Sequence, residues 1–403
     1  VAVGGAKNAA LPAMVAALLT DEPLRLRRVP AVRDVRTMAR LLERLGATET
    51  VLDGDRFSAR VREVTKPEAS YELVKTMRAS VLVLGPLLAR AGRARVSLPG
   101  GCAIGERPVD QHVEGLRRLG ARVEIEHGYI VAEAGRLRGA DVTFALETVT
   151  GTENLMMAAT LARGTTVLGG CAREPEVVDL AQLLRGMGAR IEGEGTGTIR
   201  IEGVERLRGA DHTLVADRIE AGTFVLAAAV AGTDVTVEGC RPEHLGAMLE
   251  QLQEMGVRLE VAGQTIRVLL SAGLKARDIR TAPYPGFPTD LQAQYMSLAT
   301  QVEGTSVIHE AIFENRFMHV AELRRMGADI HTEGRTAVVR GPAPLSGAQV
   351  MATDLRASAC LLLAALVADG TTVIDRVYHI DRGYEQIETK LGALGASIER
   401  VPA

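Results

Sequence analysis

In the stretch Ser97-Leu98-Pro99-Gly100-Gly101-Cys102-Ala103-Ile104-Gly105-Glu106-Arg107-Pro108, a thiol and a guanidinium stand five residues apart. Glycines admit φ > 0 and prolines fix φ, so the segment reads as a shaped, mobile loop rather than as helix or strand. Arg107 keeps its charge and can fork onto a phosphate or carboxylate. A thiol near such a charge gives up its proton more easily and serves as nucleophile or acid. The plainer reading, a glycine turn with a small buried Cys and a solvated Arg, fits the loop alone equally well. More cations stand where buried helices are expected to begin: Lys7 beside Asn8, Arg78, and Arg356. A helix N-terminus carries unpaired N–H groups and partial positive charge, so a cation there calls for an anion between them. Arg316 and Arg382 lie in loops ahead of two further helices. Together these side chains predict a cationic cleft fed by both halves of the chain. Asp290 and Asp354 also stand at helix starts, where capping is the ordinary role of an aspartate. The eight histidines show no metal-ligand spacing, so no metal is expected and the anion-binding work falls to Arg and Lys.

The elements that must hold these residues are set by a repeat. Leu45-Gly46-Ala47, Leu119-Gly120-Ala121, Met187-Gly188-Ala189, Met255-Gly256-Val257, Met326-Gly327-Ala328 and Leu394-Gly395-Ala396 recur at 68–74 residue intervals. Each Gly supplies the left-handed end of an amphipathic helix such as 109–118. Two short alternating strands follow, such as 122–126 and 129–132, joined by His127-Gly128. The Gly193-Glu194-Gly195-Thr196-Gly197 run is likewise a hairpin turn rather than a nucleotide loop. Each unit opens with a second helix that is apolar all round, hence buried; 154–161, 224–231 and 360–368 are examples. The unit is therefore helix, strand, loop, helix, strand, strand. Six units fill the chain, three per domain around a pseudo-threefold axis, with the seam near Ala216. The first few residues are free to pair with the second domain, because the sixth unit lacks a follow-on strand. Cys102, Cys171 and Cys240 recur 69 residues apart at strand ends, which favours a structural role for all three. Only Cys102 is followed by the charged insert 103–107. Cys360 falls inside an apolar helix and reads as core.

Composition narrows the class. The 403 residues suit two large domains, and 47% hydrophobic content with 3% aromatics and no Trp predicts aliphatic cores. A net charge of −3 argues against a general nucleic-acid binder. Four cysteines without CxxC spacing fit neither a zinc site nor a disulfide framework and point to a reducing cytosol. No apolar run reaches membrane-spanning length and no leader pattern precedes the first helix. The chain opens at Val1 without Met, so a few residues are expected ahead of it.

The motifs Gly5-Ala6-Lys7-Asn8, the Cys102 loop, Thr281-Ala282-Pro283-Tyr284-Pro285-Gly286-Phe287-Pro288-Thr289-Asp290, Glu314-Asn315-Arg316-Phe317-Met318-His319 and His379-Ile380-Asp381-Arg382-Gly383-Tyr384 occur in this order. In them the chain resembles the UDP-N-acetylglucosamine enolpyruvyl transferases, over nearly its whole length. The resemblance implies an α/β fold: a two-domain inside-out α/β barrel, each domain three repeated units around a pseudo-threefold axis with buried helices. The domains would be 6–215, carrying the Cys loop, and 1–5 plus 216–403, carrying the catalytic Asp. It also implies transfer of the enolpyruvyl group of phosphoenolpyruvate to the 3-hydroxyl of UDP-N-acetylglucosamine, the first committed step of peptidoglycan synthesis. Asp290 would deprotonate the hydroxyl, and Cys102 would donate a proton and form a covalent adduct. Lys7, Arg107 and Arg382 would hold the phosphate, Arg316 and Arg356 the carboxylate, with Asn8 beside both substrates. Arg78, Arg107, Pro108, Val109, Asp110, Gln111, His112, Thr148, Val149, Asp290 and Ile312 would line the nucleotide-sugar site. The family commonly has Leu where Gln111 stands and Ser near Thr148. The expected protein is a cytoplasmic monomer with these two small-molecule substrates, no cofactor, and neither nucleic acid nor membrane as partner. Two rival readings are a shikimate 3-phosphate enolpyruvyl transferase and a non-catalytic nucleotide-sugar binder.

Overall fold

Six glycines close six helices in the same way. In the computed structural model, which describes residues 1–75, 77–98 and 109–401, Gly46, Gly120, Gly188, Gly256, Gly327 and Gly395 take φ between +90° and +117°. That backbone region strains any residue with a Cβ, which is why the repeat is anchored on glycine. The helices they end are Arg33–Leu45, Asp110–Arg118, Pro175–Gly186, Gly246–Met255, His319–Arg325 and Ile387–Ala393. Each of the first five is followed by two antiparallel strands, for example Arg122–Glu126 and Tyr129–Glu133. His127 (φ 49°) and Gly128 (φ 78°) form the connecting two-residue turn, both left-handed as tight hairpins require.

The chain divides into two compact units, residues 1–4 with 216–403 and the described part of 5–215. Each has its own aliphatic core. In the 216–403 unit the core is built on the helices Arg218–Ala231, Gln292–Ala299 and Ala359–Ala365, which pack on one another. All eight residues of Gln292–Ala299 are buried, including Gln292, Gln294 and Ser297. In the 5–215 unit the corresponding helices are Lys7–Val15, Leu84–Ala91 and Val149–Ala159, joined by the 3-10 turn Arg78–Val83.

Between units of the repeat lies an extra short strand that the sequence pattern did not announce: Glu68–Ala69, Asp141–Thr143, Ala210–Thr213, Ile279–Arg280 and Gln349–Met351. Each pairs in parallel with the first strand of a neighbouring repeat. In the 5–215 unit this closes a ring, because Ala210–Thr213, after the third repeat, pairs with Leu24–Arg27 of the first. In the 216–403 unit the ring is closed by the start of the chain. Val3 N donates to Glu238 O at 3.0 Å and Glu238 N to Val1 O at 2.8 Å, so residues 1–3 edge the fourth repeat's strand Val235–Glu238. They stand where a strand following the sixth repeat would stand.

Candidate active site

Three aspartates mark the helix starts of the 216–403 unit, and they do different things. Asp217 caps Arg218–Ala231, its Oδ1 accepting from Ile219 N at 2.9 Å and Glu220 N at 3.1 Å. Asp354 caps the turn ahead of Ala359–Ala365, accepting from Arg356 N and Ala357 N at 2.7 Å each. Among the described residues neither the turn Thr289–Leu291 nor the helix Gln292–Ala299 has a side-chain cap, from Asp290 or any other residue. Asp290 Oδ1 instead accepts from Arg316 Nη2 at 2.7 Å, and a quarter (25%) of its side chain stays exposed. This separates Asp290 from the capping role that helix-start aspartates ordinarily fill. Burial alone would raise the Asp290 pKa. The charges of Arg316, Arg356 and Arg218 outweigh it and hold the carboxyl well below the usual carboxylate range.

Arg316 and Arg356 are almost fully buried, at 4% and 1% exposure. Arg316 Nη1 donates to Thr289 Oγ1 at 2.8 Å, and its Nε lies 3.8 Å from Asp354. Thr289 Oγ1 in turn donates to Glu310 Oε2 at 2.8 Å. Glu310, itself buried, accepts at Oε1 from Thr281 Oγ1 and from the backbone N–H groups of Ile312 and Phe313. One carboxylate thus ties the loop that carries Asp290 to the loop that carries Arg316, and places half-buried Ile312 beside both. Arg356 pairs with Asp217 Oδ2 at 2.8 Å, donates to Gly383 O at 2.6 Å, and lies over the Tyr384 ring at 4.9 Å. Tyr384 OH meets Thr223 Oγ1 at 2.8 Å and Gln294 Nε2 at 2.9 Å. Arg382 closes the 3-10 turn Val377–Arg382 and is half-buried.

In the 5–215 unit, Lys7 is the first residue of Lys7–Val15, and its Nζ lies 2.9 Å from Asp34 Oδ2, both side chains buried. Asn8 follows it, half-buried. Arg78 opens its 3-10 turn and is half-buried. The anions that these helix-start cations call for are thus supplied in part by the protein: Asp34 for Lys7, Asp217 for Arg356. His112 is buried on Asp110–Arg118, with Nδ1 2.8 Å from Asn154 Nδ2 and Nε2 3.4 Å from Thr150 Oγ1. Burial, with the nearby Arg78 charge, pushes its pKa down to about 4, so the imidazole is neutral at pH 7. Thr148 caps Val149–Ala159 through Oγ1 to Gly151 N at 3.2 Å. Gln111 exchanges two hydrogen bonds with the Leu146 backbone, each 3.2 Å. This clasp joins the segment of Val109, Asp110, Gln111 and His112 to the loop before Thr148 and Val149.

Cys102, Arg107 and Pro108 lie outside the described residues. Cys171 and Cys240 are buried, their thiols donating to the strand carbonyls of Leu168 (3.3 Å) and Val237 (3.7 Å). Burial raises the Cys171 pKa to about 11, an inert thiol. Cys360 is core, as its helix requires. Among the described residues no cluster of three His, Cys, Asp or Glu side chains could hold a metal ion. No described helix is long and apolar enough to cross a membrane.

A family model described as EPSP synthase (3-phosphoshikimate 1-carboxyvinyltransferase) matches residues 1–391. A UDP-N-acetylglucosamine 1-carboxyvinyltransferase of Koribacter versatilis is 62% identical, covering 100% of this chain and 93% of its own. The chain belongs to the enolpyruvyl (carboxyvinyl) transferase family. A second enolpyruvyl-type relative, the UDP-N-acetylglucosamine 1-carboxyvinyltransferase of Anaeromyxobacter sp., is 58% identical over 100% of this chain and 96% of its own. Among solved structures, the enolpyruvyl transferase NikO from Streptomyces tendae is 26% identical with a TM-score of 0.89, covering 99% of this chain and 95% of that one. EPSP synthase from Acinetobacter baumannii shares the fold at 18% identity and a TM-score of 0.74, over 99% of this chain and 96% of that one. In this enolpyruvyl transferase, sequence reasoning missed the partners that hold the candidate residues: Asp34 and Asn154 in the 5–215 unit, and Asp217, Thr289 and Glu310 in the 216–403 unit. These pairings join residues 21 to 139 apart along the chain, the Lys7–Asp34 pair among them. The one signal available was that Asp217 opens its helix where Asp290 opens another.

Proposed function

We propose that the chain transfers the enolpyruvyl group of phosphoenolpyruvate to the 3-hydroxyl of UDP-N-acetylglucosamine, releasing phosphate. The observation that carries this reading is Asp290, the one helix-start aspartate of its unit that makes no cap, held ionised beside two buried arginines. The names of the relatives at 58–62% identity support the choice of acceptor. In the reaction the sugar 3-hydroxyl oxygen bonds to C2 of phosphoenolpyruvate, its proton passing to Asp290, while C3 gains a proton from the Cys102 thiol. A proton then leaves C3 and phosphate leaves C2, restoring the double bond as an enol ether. Cys102 also forms the covalent adduct of the family, and is the thiol that fosfomycin would alkylate.

Lys7, Arg107 and Arg382 hold the phosphate in this reading, Arg316 and Arg356 the carboxylate, and Asn8 stands beside both substrates. Arg78, Pro108, Val109, Asp110, Gln111, His112, Thr148, Val149 and Ile312 serve the nucleotide sugar. Fixed positive charge aimed at a multiply charged substrate is commonly the largest catalytic contribution, since it needs no reorganisation during reaction. The two substrates supply every atom exchanged, so the reading calls for no cofactor and no metal. It places the enzyme in the cytoplasm, as a monomer at the first committed step of peptidoglycan synthesis. Phosphate release from phosphoenolpyruvate tests it: release is expected with UDP-N-acetylglucosamine and not with shikimate 3-phosphate. Release only with the shikimate would make this the sister transferase, and none with either would make it a binder.

A further inference from the structure

We propose that Asp217 is a positioning residue for phosphoenolpyruvate, fixing the Arg356 guanidinium through Nη2 so that its Nε edge meets the substrate carboxylate. The inference rests on the reading that Arg356 binds that carboxylate. Asp217 divides its two oxygens between two tasks. Oδ1 takes both capping N–H groups of Arg218–Ala231, and Oδ2 takes Arg356 Nη2 at 2.8 Å. A cap alone needs one acceptor atom, and Ser, Thr or Asn supplies it as well as Asp does. Only a carboxylate both caps the helix and neutralises a guanidinium that is 1% exposed.

The anchor is itself held. Asp217 N donates to Gly4 O at 3.0 Å, and Gly4 N donates to Glu220 Oε2 at 2.7 Å. The other end nitrogen of Arg356, Nη1, is taken by Gly383 O at 2.6 Å, and the guanidinium is stacked at 4.9 Å over Tyr384. Nε is the buried donor of Arg356 with no hydrogen-bond partner among the described residues. A buried charged donor left unmatched is costly, so the arrangement is complete only when an acceptor reaches it. The protein takes both end nitrogens of the guanidinium and leaves Nε without an acceptor among the described residues.

Two variants separate positioning from capping. Asp217→Asn keeps a capping oxygen but turns an amide N–H₂, a donor, toward the donor Nη2, so Arg356 is displaced. Asp217→Glu keeps the charge and moves it by one methylene. The expected result is a KM for phosphoenolpyruvate raised about ten- to hundredfold in Asp217→Asn, with the KM for UDP-N-acetylglucosamine unchanged. Asp217→Glu should return the phosphoenolpyruvate KM toward wild type even where it lowers the melting temperature through a poorer cap. An unchanged phosphoenolpyruvate KM in Asp217→Asn would overturn the proposal, as would equal rises in both KM values. If Asp217→Asn does not fold, Asp217→Ser, which keeps a capping oxygen and removes the charge, is read in its place: a rise confined to the phosphoenolpyruvate KM supports the role, and equal rises in both KM values or no rise refute it. Wild-type protein inactive with both substrates would instead sink the underlying functional reading.

Discussion

At the level of single residues, the deciding contrast is among Asp217, Asp354 and Asp290. All three occupy a position where the helix N-terminus favours a carboxylate, and two of them serve it. Asp290 leaves its helix uncapped and faces Arg316. A carboxylate there serves its partner Arg316 rather than the helix, which has no side-chain cap among the described residues. Replacing it therefore separates the two. Asp290→Asn keeps the shape and one acceptor for Arg316, so the melting temperature should move by a few degrees at most. Turnover should fall by about 10²–10⁴, the usual worth of a general base. Steady-state kinetics beside thermal unfolding checks this; a variant with wild-type turnover and a lowered melting point would make Asp290 a structural residue.

At the level of elements, the six helix-ending glycines were readable because the physical demand on each is local: a positive φ at a fixed place in a repeated unit. They are not equivalent in space, however. A Cβ on Gly46 would stand 2.4 Å from Glu63 O, whereas one on Gly120 would meet nothing within 4 Å. Gly120→Ala should thus cost only the backbone strain, about 1–2 kcal/mol. Gly46→Ala adds a backbone collision and should cost at least ~2 kcal/mol more. Urea unfolding monitored for each variant checks the order; equal midpoints would show that the loop at Glu63 yields freely. The short strands between repeats were not readable for a matching reason. Segments of two to four residues such as Glu68–Ala69 and Ala210–Thr213 are too short to show alternation, and their pairing is decided by a neighbouring repeat.

For the whole molecule, the period carried the architecture and the motifs named the candidate residues, but the partners that hold those residues are visible only in the fold. Helix starts, hairpins and buried helices depend on nearby residues and appear in the pattern. The Asp217–Arg356 pair joins residues 139 apart, and Glu310 reaches Thr281 across 29, so neither leaves a local trace. Residues 1–3 closing the ring of the 216–403 unit is the intermediate case: the missing last strand implied a substitute, and topology showed where it pairs. These pieces meet in one claim, that the sugar 3-hydroxyl is joined to C2 of phosphoenolpyruvate on this protein. Carbon NMR of the product formed from phosphoenolpyruvate labelled with ¹³C at C2 and UDP-N-acetylglucosamine tests it most directly. The account predicts a vinyl ether carbon coupled to the sugar C3 proton, with one phosphate released per ether formed. Label that stays in phosphoenolpyruvate, or that appears on any other sugar oxygen, would contradict it.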